Sequence, residues 1–315
     1  MDIWALWRPD LYRPIVVRAA QEVEPVSSGS DGAAALFSGG LDSSYMLLRH
    51  HRRLVGRRNR RIELGVFVYG ADFEPDSSLA DWYTPPARRM LDSLGIQMCV
   101  VRTNFRQCPA IWEHCHAALL ASCLHWFSGR CRYGMIAATV TADFLSHQWG
   151  SHPLTDPLLS SARFTIQDDG ILVSRVEKAD LVRTWPQAME DLRVCYQLDP
   201  DEMNCGTCQK CLFTKLAFMA CGPSVPKSLT TDVSWWDVLK LRGLPEWVPY
   251  LFLAILARGK QAGQNGRAWY RAVRVRLWLE IYLRPPVRLL RRILNRVRCW
   301  ARKLTGSGRG DSGET

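Results

Sequence analysis

Residues 33–48 read AAALFSGGLDSSYMLL. A short apolar run ends in Ser38-Gly39-Gly40-Leu41-Asp42-Ser43, and a helix-like stretch follows at once. The order is that of a strand, a tight loop and a helix. Two glycines let the backbone turn sharply and approach a ligand with no Cβ in the way. The helix then points its unpaired N–H groups, and the positive end of its dipole, at whatever lies in the loop. Ser38, Ser43 and Ser44 add hydroxyl donors. A carboxylate inside an anion site calls for a cation, so Asp42 points to a magnesium ion carried in with nucleotide phosphates. The plain alternative is a surface turn built of small residues.

Outward from this stretch, strands and helices alternate. A helix is expected to end near His50-His51, followed by a basic stretch, RRLVGRRNRR. IELGVFVYG (62–70) is a continuous apolar run of the kind buried on both faces of a sheet. A helix over 78–94 should stop at Leu94-Gly95. QMCVVRTNF (97–105) reads as a third strand, 110–128 as a helix, and GMIAATV (134–140) as a fourth strand. Repeated βα units predict an α/β fold with a doubly wound parallel sheet. Ligands bind such sheets beyond the carboxyl ends of the strands. That places Ser38–Ser43, Tyr69–Asp72, Thr103–Arg106 and Thr141–Asp143 around one crevice. Arg106 there could hold a phosphate or a carboxylate by a bidentate contact, or form an ordinary surface pair.

The loop SHQWGSHPLTDPLLSS (146–161) is rich in polar and aromatic side chains. Trp149 could stack on a heteroaromatic substrate, and His152 and Asp156 could hydrogen-bond it. His147 and His152 as metal ligands, or a purely structural loop with Pro turns, are the alternatives. Further on, Ser174 and Glu177 have capping-box spacing, so a helix should begin there with Lys178 in its first turns.

Cys195, Cys205, Cys208 and Cys211 lie at C-x9-C-x2-C-x2-C spacing. Four thiolates with two tight spacings can close a tetrahedral shell around Zn²⁺, with Gly206 easing the turn. Such a site contributes on the order of 10–16 kcal/mol of apparent binding energy to local folding. An iron–sulfur cluster also takes four thiolates and is the alternative.

The bulk numbers narrow the class. The chain has 315 residues, enough for one large domain with an appendage or for two domains. Its eleven cysteines, an odd number, sit in a chain too large to need disulfide staples, which fits a reducing compartment. MDIWALWRPD carries no secretory pattern, and the apolar run at 247–257 is shorter than the about 20 residues that span a bilayer. A cytoplasmic protein is expected. The net charge of +11 is concentrated: residues 267–304 hold eleven Arg and one Lys against Glu280, so the rest of the chain is formally neutral.

SGGLDS is not the GxxxxGK[ST] phosphate loop. It resembles the SGGxDS loop of the PP-loop ATP pyrophosphatases, which implies cleavage of ATP to AMP and pyrophosphate. With SRVEKADLV and RVCYQ…NCGTCQKCLFTKLAF added, residues 33–222 are similar to 7-cyano-7-deazaguanine synthase, a PP-loop family of the queuosine pathway. The resemblance implies ATP held by Ser38, Gly39, Gly40, Leu41, Asp42 and Ser43, with Mg²⁺. It implies zinc on Cys195, Cys205, Cys208 and Cys211, and Lys178 on the pyrophosphate. It implies that a small carboxylate is adenylated and then takes ammonia, through an amide to a nitrile. The chain departs from that family in carrying WGSHPLTDP in place of a Tyr-Pro-Asp-Cys substrate motif. It also has a longer tail and its own N-terminal extension, the features of a divergent branch.

The expected organisation is an extension and linker at 1–31, an ATP-binding domain at 32–230 with its metal site at 195–211, a basic Trp-bearing helical region at 231–305, and a disordered end at 306–315. In the basic region, Leu290, Ile293, Leu294, Val297 and Ala301 share a helical face, with arginines largely elsewhere. That region is a packed helix with a solvated face, a nucleic-acid arm or an interfacial membrane helix. Three functions stay open: a ligase joining a small carboxylate to ammonia or an amine, a PP-loop enzyme modifying a nucleic acid base, and a nucleotide-gated binding protein without chemistry.

Overall fold

In a computed structural model of the chain, five strands form one all-parallel sheet. The structure describes residues 2–16, 18–21, 29–139, 141, 145–195, 197, 202–229 and 233–283. The strands are β1 (Ser30–Leu36), β2 (Ile62–Tyr69), β3 (Gln97–Arg102), β4 (Cys131–Ala137) and β5 (Thr165–Asp169), in the order β3-β2-β1-β4-β5. The chain leaves β1 toward β2 and β3, then returns across it to β4 and β5. The two halves diverge between β1 and β4, the switch point at whose carboxyl ends sheets of this kind bind ligands. The α/β class and the parallel sheet agree with the sequence. The first strand starts earlier than its apolar run implies, because Ser30 pairs with Cys131 of β4.

β2 shows why its sequence is apolar throughout. Leu64 and Val66 face a cluster with Ala117, Ala121 and Leu124 of a helix, α4 (Trp112–His125). Gly65 faces the opposite side, where Leu91 packs so close that an added Cβ would lie 2.5 Å from Leu91 Cδ2. Leu91 belongs to α3 (Leu79–Asp92). β3 is an edge strand, and its exposure alternates accordingly.

α2 (Leu41–His51) starts directly from the glycine loop and buries Met46, Leu47 and Leu48. It packs on α5 (Arg175–Val182), and α5 packs on α7 (Gln209–Cys221). The predicted capping box is formed: Ser174 accepts from the Glu177 amide, and Glu177 accepts from the Ser174 amide. α6 (Pro186–Asp191) lies between these last two helices in sequence and packs on α3. The N-terminal α1 (Asp2–Trp7) docks by its aromatic rings, with Trp4 4.6 Å from His114 and Trp7 5.0 Å from His152 between centroids.

Two compact units divide at Val233 and Ser234. The second holds α8 (Trp235–Leu239), α9 (Val248–Gln261) and α10 (Ala268–Trp278). α10 buries Trp269, Tyr270, Val273 and Leu277 and exposes Arg271 and Arg274, while Arg276 pairs with Glu280 at 2.5 Å. The second basic pattern, with Leu290 to Ala301, and the end at 306–315 lie outside the described residues, as does Asp143. Among the described residues no helix is long and apolar enough to cross a membrane.

Candidate functional site

The glycine loop turns where β1 ends. Gly39 has φ +74°, a conformation that side-chain-bearing residues adopt at a cost. Gly40 is the extended N-cap of α2 and brings no side-chain cap to the helix's first turn. A Cβ on Gly40 would stand 3.2 Å from Ser38 Oγ and 3.4 Å from the Arg193 carbonyl oxygen. Ser43 Oγ donates to the Gly40 carbonyl at 3.2 Å and lies 3.5 Å from Ser38 Oγ. The loop is thus a tight cradle of small side chains at a helix N-terminus.

Asp42 lies in the first turn of that helix, and two cations from α5 reach it. Lys178 Nζ donates to Asp42 Oδ1 at 2.8 Å and to the Ala138 carbonyl at 2.6 Å. Arg175 Nη2 donates to Asp42 Oδ2 at 3.2 Å. The capping box sets this geometry, because it starts α5 at Ser174 and places Arg175 and Lys178 one turn apart on the same face. Burial alone would raise the Asp42 pKa; the charges of Lys178 and Arg175 outweigh it and hold the pKa at about 2. Asp42 is therefore ionised at neutral pH.

A second arm approaches from the stretch between α6 and the first metal-site cysteine. The Arg193 amide donates to the Gly39 carbonyl at 2.9 Å. Its guanidinium pairs with Asp72 and lies over the Tyr83 ring, 4.5 Å from the centroid. Arg193 is 8% exposed, and its Nε has no hydrogen-bond partner among the described residues. Lys210, at the start of α7, feels the charges of Asp72, Asp42, Arg175 and Arg193, and burial pushes its pKa down. Three cations thus pair with two carboxylates: Arg175 and Lys178 with Asp42 in the first turn of α2, and Arg193 with Asp72. The surplus of positive charge suits an anion.

The four cysteines meet as the spacing predicts. Their sulfurs all lie within 4.8 Å of one another, with Cys195–Cys208 at 3.8 Å and Cys205–Cys211 at 4.0 Å. Sulfurs bound at about 2.3 Å to one tetrahedral ion stand about 3.8 Å apart. A multi-iron cluster occupies more space between its thiolates, so the geometry suits a single ion such as zinc. Gly206 takes φ +70° in the turn. Backbone amides already point at the sulfurs: Gln197 N to Cys195 at 3.2 Å, Cys208 N to Cys205 at 3.3 Å and Cys211 N to Cys208 at 3.5 Å. Such donors stabilise thiolates. Without an ion, the Cys208 thiol and burial push the Cys211 thiol far up. A bound cation would let four sulfurs share this space.

The remaining sequence-predicted residues fall elsewhere. Arg106 is exposed and lies over Trp112, 4.3 Å from the ring centroid, so it engages that ring instead of the Asp42 cluster. His152 is fully buried; its Nε2 donates to the Leu145 carbonyl at 3.0 Å and its Nδ1 accepts from the Leu154 amide at 3.1 Å. Asp156 is also fully buried and accepts from Ser151 Oγ, the His152 amide and Thr155 Oγ1. Both spend their polar atoms bracing the 146–161 loop, which corrects the expectation that they face a substrate. Trp149 stacks on His147 at 5.7 Å, with its ring partly exposed.

Arg175, Arg193 and Lys210 carry no sequence signal of a site. The nearest hint is that each lies next to a motif: the capping box, the first cysteine and the CxxC pair. Asp168, at the end of β5, was equally silent. Burial and the Asp156 charge raise its pKa to about 7, and its Oδ1 is buried with no hydrogen-bond partner among the described residues.

No protein-family model, curated protein or solved structure matches the chain.

Proposed function

We propose that the chain binds ATP with Mg²⁺ over the glycine loop and cleaves it to AMP and pyrophosphate, adenylating a carboxylate on a small, heteroaromatic substrate. Ammonia or an amine then displaces AMP to give an amide, in the manner of 7-cyano-7-deazaguanine synthase. The observation that carries the reading is the cation pair of Arg175 and Lys178 on an ionised Asp42 in the first turn of α2, with Arg193 held on the glycine loop. A pyrophosphate leaving group develops negative charge, and preorganised cations and amides stabilise that charge without reorganising.

The roles divide by position. Ser38 to Ser43 cradle the phosphates through small side chains and the N–H groups of α2. Lys178 and Arg175 face the phosphates that depart. Asp42 keeps both cations oriented before ATP arrives, and its carboxylate oxygens retain lone pairs that suit the magnesium ion accompanying the nucleotide. That ion supplies further charge neutralisation when bound. The four cysteines hold a zinc ion with no open position, a structural centre.

The test is ATP–pyrophosphate exchange screened against a panel of heteroaromatic carboxylates. Exchange that requires one acid, with AMP as product, supports the ligase. Formation of ADP and phosphate overturns it. A second reading, modification of a nucleic acid base, draws on the exposed Arg271 and Arg274 of α10. Turnover that requires tRNA or DNA and is lost on deleting residues 267–304 would select it.

A further inference from the structure

The metal centre and the anion cradle share their polypeptide. Cys195 lies two residues after Arg193, whose amide holds the Gly39 carbonyl at 2.9 Å and whose guanidinium holds Asp72. Asn204, next to Cys205, fastens this arm: its Oδ1 accepts from the Val194 and Cys195 amides at 2.7 and 3.0 Å, and its Nδ2 donates to the Leu192 carbonyl at 2.8 Å. On the other side, Cys208 and Cys211 start α7, with Lys210 between them. One turn further, Thr214 Oγ1 accepts from Arg175 Nη1 at 2.9 Å and donates to the Lys210 carbonyl at 2.8 Å. Arg175 reaches Asp42 with its other nitrogen. Two hydrogen-bonded paths therefore run from the cysteine loops to the glycine loop, one through Arg193 and one through Thr214 and Arg175.

We propose that the four-cysteine centre controls the anion site: a bound metal holds Arg193 and, through Thr214, Arg175 against the glycine loop, and metal loss disassembles the polyphosphate cradle. The inference rests on reading that cradle as a nucleotide site, but the mechanical coupling stands apart from it. Without a metal, four crowded sulfurs have no shared cation, and the Asn204 contacts tie the 192–195 arm to the turn before Cys205 without the ion. Arg193 and the Thr214–Arg175 pair then lose a common anchor.

The experiment uses the full chain in three forms: metal-loaded, stripped by a chelator, and Thr214→Val with its metal retained, as checked by elemental analysis. Two readouts are taken on each, hydrogen exchange of amides 38–44 with β2 amides 62–69 as control, and affinity for ATP with Mg²⁺. Loss of one charge-assisted hydrogen bond corresponds to about tenfold or more. Stripping should therefore speed exchange at 38–44 by at least about tenfold while 62–69 stay protected, and should weaken ATP binding by a similar factor. Thr214→Val should move both readouts the same way by a smaller factor. Unchanged loop exchange in the stripped chain overturns the coupling. Should stripping expose 62–69 as well, the variant decides: a Thr214→Val chain that matches the wild type in loop exchange overturns it. If the loaded chain binds no ATP, the nucleotide reading falls and the coupling is judged on exchange alone.

Discussion

Removing Lys178 should expose how far the Asp42 cluster is built on compensation. In Lys178→Met the carboxylate of Asp42 keeps Arg175 at 3.2 Å but loses its 2.8 Å partner, and the Ala138 carbonyl loses its donor. The Asp42 pKa stands at about 2 against an ordinary 3.8. That depression corresponds to about 2 kcal/mol of stability at neutral pH. It is fully present above the unfolded-state pKa and is lost as pH falls through the folded one, toward pH 2. Stripping one partner from a buried pair costs more, about 3–5 kcal/mol, because the survivor is left uncompensated. Asp42→Asn should also destabilise, by leaving Lys178 buried without its counter-charge. The double variant Asp42→Asn/Lys178→Met removes both charges, so its cost should fall short of the sum of the two single costs by about 2 kcal/mol. Urea unfolding at pH 7 of the four proteins measures this coupling. A coupling below about 0.5 kcal/mol would mean that the two side chains do not meet as described, and the cation cluster would lose its central contact.

Other substitutions test other parts of the account. Asp156→Ala leaves buried donors of Ser151, His152 and Thr155 without their acceptor, so it should cost on the order of 2–4 kcal/mol in thermal or urea unfolding; a neutral effect would show that the 146–161 loop is not braced this way. Asp168 has a raised folded-state pKa of about 7, so its contribution is complete below about pH 4 and is lost as pH rises through 7, by up to about 4 kcal/mol. Asp168→Asn should accordingly flatten the stability profile between about pH 4 and pH 7, and an unchanged profile would place the titration elsewhere. Gly65→Ala inserts a methyl group 2.5 Å from Leu91 Cδ2 and should cost about 1–3 kcal/mol, and the cost of Gly65→Ala/Leu91→Ala should fall short of the sum of the two single costs. Strictly additive costs would refute the close approach of β2 to α3.

Much of this architecture is legible residue by residue. The apolar run of β2, the Ser174–Glu177 box, the glycine turn at Gly39 and the cysteine spacing are all local. Each depends on side-chain periodicity or backbone chemistry within a dozen or so residues. They set the element types, the parallel sheet and the four-sulfur centre. The charge partners of Asp42 are different in kind. Lys178 lies 136 residues away in sequence, and nothing in its neighbourhood distinguishes a buried lysine from a solvated one. Resemblance suggested Lys178, but Arg175, Arg193 and Lys210 had no signal, because an arginine or lysine beside a motif reads as surface charge until the sheet order brings it inward. The opposite error occurred at His152 and Asp156. Their residue types suit substrate binding, yet the loop folds over them, and burial forces every polar atom to find a partner within it. What the chain's pattern determined was the set of elements and two motifs. Only the strand order and the packing of α5 and α7 on α2 decided which charges share a site, since proximity between distant residues is a property of the closed fold.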